Sequence, residues 1–194
     1  MIPVKAAPEP AGFDTGVRTE GRRFLRKARL RPPVAGEKWR NKEYWRRAIP
    51  GLFKAYGGFC AFTAFPIHPV TGWRTVEHFR PKSLHPNLAY EWSNLRLVCG
   101  LMNGRKGDHE DVLDPFTLPP NTFDINFVSG EIVVHNNCAA AIRPQAVATI
   151  KRLKLNDPQC RAQRRDDARR ILKGEQIRDD NPFVAHCLEA QGLL

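Results

Sequence analysis

No stretch of this chain reaches eighteen consecutive apolar residues, so nothing in it reads as a membrane span. The opening MIPVKAAPEPAGFD lacks the apolar centre of a secretory signal, which sets the expectation of a soluble, cytoplasmic protein. Cysteine is sparse: five residues, at 60, 99, 138, 160 and 187, odd in number and widely scattered. A small disulfide-held secreted scaffold would carry an even, dense set, so most of these are expected as reduced thiols. Internal repeats and long low-complexity tracts are lacking too. Acidic residues are in deficit, 20 Asp+Glu against 31 Lys+Arg.

What is present suits one globular domain, or one domain with an arm: 194 residues, 42% of them hydrophobic, enough for a real core. The positive charge is uneven. Up to Cys60 there are 14 Lys+Arg against 5 Asp+Glu; beyond it, 17 against 15. A basic N-terminal third is the footprint of a polyanion-binding protein, with nucleic acid as the commonest partner, or else a solvated, solubilising face.

Residues 1–36 read as a basic N-terminal arm with one short helix. The Pro-, Gly- and Ala-rich residues 1–17 form the arm, and Glu20 to Leu30 form the helix, stopped by Pro32-Pro33. Residues 37–194 read as a single domain. Within it, Glu37 to Tyr56 is interrupted by Pro50 and predicts two short helices ended by Gly57-Gly58. Trp39, Tyr44, Trp45 and Tyr56 could stack on unpaired bases there; their spacing fits a face buried on the core equally well, and core packing is the expected role, leaving the basic residues free for phosphates. Turns and short strands fill 59–106. A β-hairpin is expected from Phe123 to Val134 around Ser129-Gly130. From Pro144 the chain turns helical, with an apolar stripe of Val147, Ile150, Leu153 and Leu155. Asn156-Asp157-Pro158 then caps a charged helix to Leu172, and a last helix runs from Asn181 or Pro182 to about Ala190.

The chemistry-bearing residues lie in TVEHFRPKS (75–83) and YEWSNLRLVCGLMNGRKGD (90–108), preceded by GGFCAFT (57–63). Glu77-His78 sits at the end of a strand-like run, before a proline turn. Asn94 follows, and Asn103 comes nine positions later beside Arg105 and Lys106. Phosphodiester hydrolysis needs a base for water and a cation on the phosphate. An imidazole next to a carboxylate, with an amide to share the cation, supplies both. Carboxylate and amide oxygens are hard donors that suit Mg²⁺ or Mn²⁺ better than zinc.

The segment VEHFRPKS…YEWSNLRLVCGLMNGRKGD resembles the HNH endonucleases, and within them the bacterial proteins related to restriction and anti-phage defence. The similarity extends through DVLDPF (111–116) and TIKRLKLND (149–157). The resemblance implies an α+β fold: a ββα-metal (HNH, His-Me finger) core over 57–116, embedded in surrounding helices including those of 144–190, with a small β-hairpin. It implies His78 as general base, Glu77 and Asn103 as ligands of one divalent cation, and Asn94 as the residue that braces the loop and orients His78. This is an HNN variant. Lys106, Arg105, Arg80 and Lys82 are the expected nucleic-acid contacts, Lys106 either on phosphate or holding the helix in place. The substrate would be nucleic acid, DNA ahead of RNA, and an ATPase partner subunit is conceivable.

The chain departs from the family at the zinc knuckles. Cys60-Ala61-Phe62-Thr63 and Cys99-Gly100-Leu101-Met102 each keep one cysteine of a CxxC pair, so no structural zinc is expected. Packing of Phe59, Phe62, Phe65, Leu101 and Met102 would replace it, with Cys60 and Cys99 close, buried and reduced. Plainer roles stand beside the chemical ones. Glu77 could pair with Arg74 or Arg80, Asn103 could be a turn or cap residue before Gly104, and Asp108 to Asp111 could be a solvated loop. The competing functions are a nucleic-acid-binding module without catalysis, and a nuclease subunit active only beside its ATPase.

Overall fold

The computed structural model describes residues 1–176 and 178–194, and in it helices and two small antiparallel sheets make an α+β arrangement. The chain forms two compact units. One, the cleft unit, is Lys5–Phe59 with Ile67–Glu110; the other, the helical unit, is Met1–Val4, Cys60–Pro66 and Asp111–Leu194. Among the described residues, no helix is long and apolar enough to cross a membrane.

In the cleft unit the N-terminal segment is tied down rather than extended. Ala7 donates its N–H to the Tyr56 hydroxyl at 3.0 Å, and Trp92 Nε1 donates to the Ala7 carbonyl at 2.9 Å. A π-helical turn, Asp14–Arg18, leads directly into α1, Thr19–Ala28. The helical run thus starts ahead of Glu20, because Phe13 and Val17 lie one turn apart and both bury. It stops at Ala28, where Arg29 turns left-handed, before the proline pair is reached. Gly21 allows the close approach of α1: a Cβ there would lie 2.1 Å from Tyr90 Cγ.

After 3₁₀ turns at Gly36–Trp39 and Tyr44–Ala48 comes α2, Ile49–Ala55. Pro50 occupies the first turn of α2 and opens the helix instead of breaking one, since an N–H at that position has no intrahelical partner to lose. Trp39 and Trp45 are core residues whose rings meet edge-on at 5.7 Å. Strand β1, Arg74–His78, pairs antiparallel with β2, Leu95–Cys99, in the register Val76↔Leu97, Glu77↔Arg96 and His78↔Leu95. Helix α3, Gly100–Lys106, follows β2 without a break. Leu52, Val76, Leu95, Leu97, Val98 and Met102 are all buried, each worth roughly 1.5–3 kcal/mol against exposure.

The helical unit carries β3, Phe123–Asn126, paired with β4, Glu131–Val134. The first strand ends at Asn126, ahead of Val128, because the Asn126 side chain accepts the N–H groups of Val128 and Ser129 and closes the turn. Helices α4 (Arg143–Arg152), α5 (Pro158–Leu172) and α6 (Pro182–Ala190) follow. Asp157 and Asn181 are the N-caps of the last two, Asn181 accepting from Val184 N–H at 3.2 Å. Of the expected apolar stripe, Leu153 and Leu155 bury but Val147 is 54% exposed; Ala146 and Thr149 form the buried face of α4 instead.

Candidate active site

Alternation along β1 puts Thr75 and Glu77 on one face and Val76 and His78 on the other. Helix α3 lies on the Thr75/Glu77 face, joined to it by polar bonds. Asn103 Nδ2 donates to Thr75 Oγ1 at 2.9 Å and to the Val76 carbonyl at 3.1 Å. One turn on, Lys106 Nζ sits 3.0 Å from Glu77 Oε1 and donates to the His78 carbonyl at 3.2 Å. Lys106 is 0% exposed, its ammonium turned to Glu77 and the His78 carbonyl rather than to solvent.

The other face of β1 sets His78. Its Nε2 lies 2.9 Å from the Ala89 carbonyl. A carbonyl can only accept, so Nε2 carries the proton and Nδ1 holds the lone pair. Trp45 packs edge-on against the imidazole at 4.8 Å between centroids. Burial, reinforced by the charge of Lys82 and then opposed by the Ala89 bond, pulls the imidazole down to about 3, so the ring is neutral near pH 7. Burial pushes the Glu77 carboxyl up to about 7, with Lys106 and then Lys82 pulling the other way.

Asn94 ends a 3₁₀ turn, Trp92–Asn94, just before β2. Its Oδ1 accepts from Arg80 N–H at 2.8 Å, while Nδ2 donates to the carbonyls of Arg80 (3.0 Å) and Leu88 (3.2 Å). It therefore clamps both ends of the 79–88 loop. The bond that fixes the His78 tautomer, however, comes from Ala89 rather than from Asn94.

Glu77, His78 and Asn103 line one cleft of about 650 Å³, together with Thr75, Trp45 and Asp108. Arg46, Arg74 and Lys82 line it as cations, facing the carboxyl groups of Glu43, Glu77 and Asp108. Lys82 is half-buried, its ammonium 5.6 Å from the Trp45 ring centre. Arg80 is turned to an exposed cluster in which Glu110 accepts from Arg80 Nη1 at 3.0 Å and from His85 Nε2 at 2.9 Å. Arg105 is half-exposed on α3. Asp108 at the cleft and Glu110 in the ion cluster separate two residues that the sequence groups as one solvated loop.

Whether these side chains suit a divalent cation can be tested on their chemistry. Among the described residues no three His, Cys, Asp or Glu groups converge. A Mg²⁺-like ion needs few protein ligands because it keeps several waters and takes others from a phosphate. The Glu77 carboxyl, whose Oε1 is held by Lys106, and the Asn103 amide are hard oxygen donors on the same cleft. The set fits such an ion.

All five cysteines are thiols. Cys60 is buried, whereas Cys99 is only half-buried. Of the residues expected to pack where zinc would sit, Phe62 and Met102 are buried, but Leu101 is 57% exposed. Sequence reasoning missed the Glu77–Lys106 pair and the Ala89 carbonyl. A lysine flanked by Gly104 and Gly107 gives no local sign of burial, and a backbone acceptor leaves no trace in residue type.

No protein-family model matches the chain. A Septu protein PtuB of Bacillus thuringiensis is 30% identical to it over 97 residues, which cover 50% of this chain and 36% of that protein. The chain thus matches about a third of the length of that relative, and over that stretch it is similar to a Septu protein.

Proposed function

We propose that this protein is a metal-dependent nuclease of the HNH type, acting on nucleic acid, DNA ahead of RNA, in anti-phage defence. The observation that carries the reading is the state of His78: a neutral imidazole held by Ala89 with Nε2 protonated, lining a cleft that also holds Arg46, Arg74 and Lys82, beside the buried Glu77 carboxyl. The run of β1, β2 and α3, with these residues on β1 and Asn103 on α3, supports the reading of a ββα-metal core. The defence role is supported by the similarity to a Septu protein over half of this chain.

In this reading the lone pair on His78 Nδ1 takes a proton from the attacking water. Lys82 and Arg46 draw the phosphate into the cleft, and Trp45 keeps the imidazole from rotating. Glu77 and Asn103 would hold one Mg²⁺ or Mn²⁺. Such an ion supplies Lewis acidity to the scissile phosphate and to the leaving 3′ oxygen. Lys106 keeps Glu77 in place from beneath. His78→Ala should lower Mg²⁺- or Mn²⁺-dependent plasmid nicking by about 10²–10⁴-fold with the fold retained by circular dichroism. Undiminished nicking by that variant overturns the reading.

A second reading keeps the same site but makes its activity depend on an ATPase partner subunit. The similarity to a Septu protein over half of this chain is what supports it. Efficient nicking by the isolated chain separates the two. Salt-sensitive binding with no product under any metal would instead mark a non-catalytic nucleic-acid-binding module.

A further inference from the structure

Trp39, Trp45 and Trp92 are at most 6% exposed, while Trp73 is 76% exposed. Its indole lies against Gly100 at the start of α3, where a Cβ would come within 2.5 Å of the ring, so the glycine makes the seat on which the indole rests. The Trp73 carbonyl accepts from Gly100 N–H at 2.9 Å, fixing the backbone beneath it. Trp73 lines the same cleft as His78, Lys82 and Arg46. Its neighbour Arg74 is immobilised, the guanidinium stacked 4.1 Å above the Phe53 ring centre and bonded to the Pro69 carbonyl at 3.3 Å.

A large exposed indole beside fixed cations is the pattern by which proteins hold unpaired strands: phosphates run along the charge and a base stacks on the ring. In a duplex both faces of a base are already covered by its neighbours, so the indole can take only a base that has left the stack. We propose that Trp73 is the seat for one unpaired nucleobase, and that the cleft takes single-stranded or locally opened nucleic acid. This rests on reading the cleft as a nucleic-acid site, and it names the form of the substrate.

The test uses the full-length His78→Ala protein, which binds without cutting, titrated with dT12, rU12 and a 12-base-pair DNA duplex. The readouts are tryptophan fluorescence and fluorescence anisotropy of end-labelled strands. Because Trp45 borders the same cleft, the part of the quenching by dT12 that disappears in Trp73→Phe is what reports Trp73. The duplex should not quench. Trp73→Phe should remove most of the quenching while retaining binding, and Trp73→Ala should bind dT12 about tenfold more weakly with duplex affinity unchanged. Quenching by rU12 as strong as by dT12 assigns the seat to unpaired bases of either sugar; quenching by dT12 alone assigns it to DNA.

Equal dT12 affinity in wild-type and Trp73→Ala backgrounds, or no binding of dT12 at all, overturns the proposal. Wild-type nicking combined with Trp73-independent binding removes the base seat and leaves the nuclease. Trp73-dependent binding by a wild-type chain that cuts nothing, alone or with its partner, does the reverse.

Discussion

Lys106 in the cleft unit and Arg164 in the helical unit are sealed from solvent alike, at 0% and 1% exposed, but they are satisfied differently. Lys106 meets a carboxylate, Glu77, at 3.0 Å, with the His78 carbonyl at 3.2 Å. Arg164 meets neutral oxygens: the Gly130 and Leu155 carbonyls, each at 2.7 Å, and Asn156 Oδ1 at 3.3 Å. Burial pulls the Arg164 guanidinium down to about 10, which still leaves it protonated near neutrality. Its planar fork ties the turn after β3 to the connection between α4 and α5, a task of shape. The Lys106 ammonium instead neutralises an anion that borders the cleft, a task of charge at the site. A buried cation is informative about function through the partner it keeps, more than through burial itself.

That contrast can be broken by experiment. Arg164→Met removes the fork and takes their donor from the Gly130 and Leu155 carbonyls, so urea unfolding should show a loss of about 3 kcal/mol, while nicking per folded molecule stays at the wild-type level. Lys106→Met should act the other way round. It lowers nicking about 10- to 100-fold, as the loss of a residue supporting a ligand does, and costs about 1.5–3 kcal/mol in urea. Adding Glu77→Gln to Lys106→Met should restore most of the stability and none of the nicking. Unimpaired nicking by Lys106→Met would erase the distinction between the two cations.

A smaller effect sharpens the same comparison through pH, measured by urea unfolding in EDTA. Native His78 stays neutral down to about 3, whereas the unfolded ring takes a proton below about 6.5. The unfolded state therefore binds more protons in that window, and stability falls as pH drops from 6.5 toward 3. Glu77 is opposite in sense. Raised to about 7, it keeps a proton that the unfolded chain gives up above about 4.5, so its contribution to stability declines as pH rises from 4.5 to 7. Between pH 5 and 6.5 the two slopes oppose each other. Glu77→Gln should leave a protein that gains stability from pH 5 to 6.5, and His78→Ala one that loses it. Parallel curves for the two variants would contradict the burial assigned to both groups.

What the sequence makes legible here is local. Helices α5 and α6 stand where Asp157-Pro158 and Asn181-Pro182 place them, because cap and first-turn proline act within four residues of chain. Val147 is expected inside and lies outside, because the face of α4 turned to the core carries Ala146 and Thr149 instead. In the candidate site, Glu77, His78 and Asn103 could be grouped from the motif, and they do share a cleft. The partnership of Lys106 with Glu77 spans the whole β1–β2–α3 unit, and lysine is rarely interior, so composition argues against it. Trp73 stands between a glycine turn and the start of β1, with no periodic neighbours to mark it as surface or core.

Asn156 has a consequence of a different kind. Its side-chain amide accepts from Ile132 N–H at 2.8 Å and donates to the Ile132 carbonyl at 2.9 Å, so one residue mimics the bonding of a neighbouring strand along the outer margin of β4. A two-stranded ribbon with a bare margin invites other chains to add to it and grow into aggregates. The amide occupies that margin at its centre, and so guards this small ribbon against polymerisation with copies of itself.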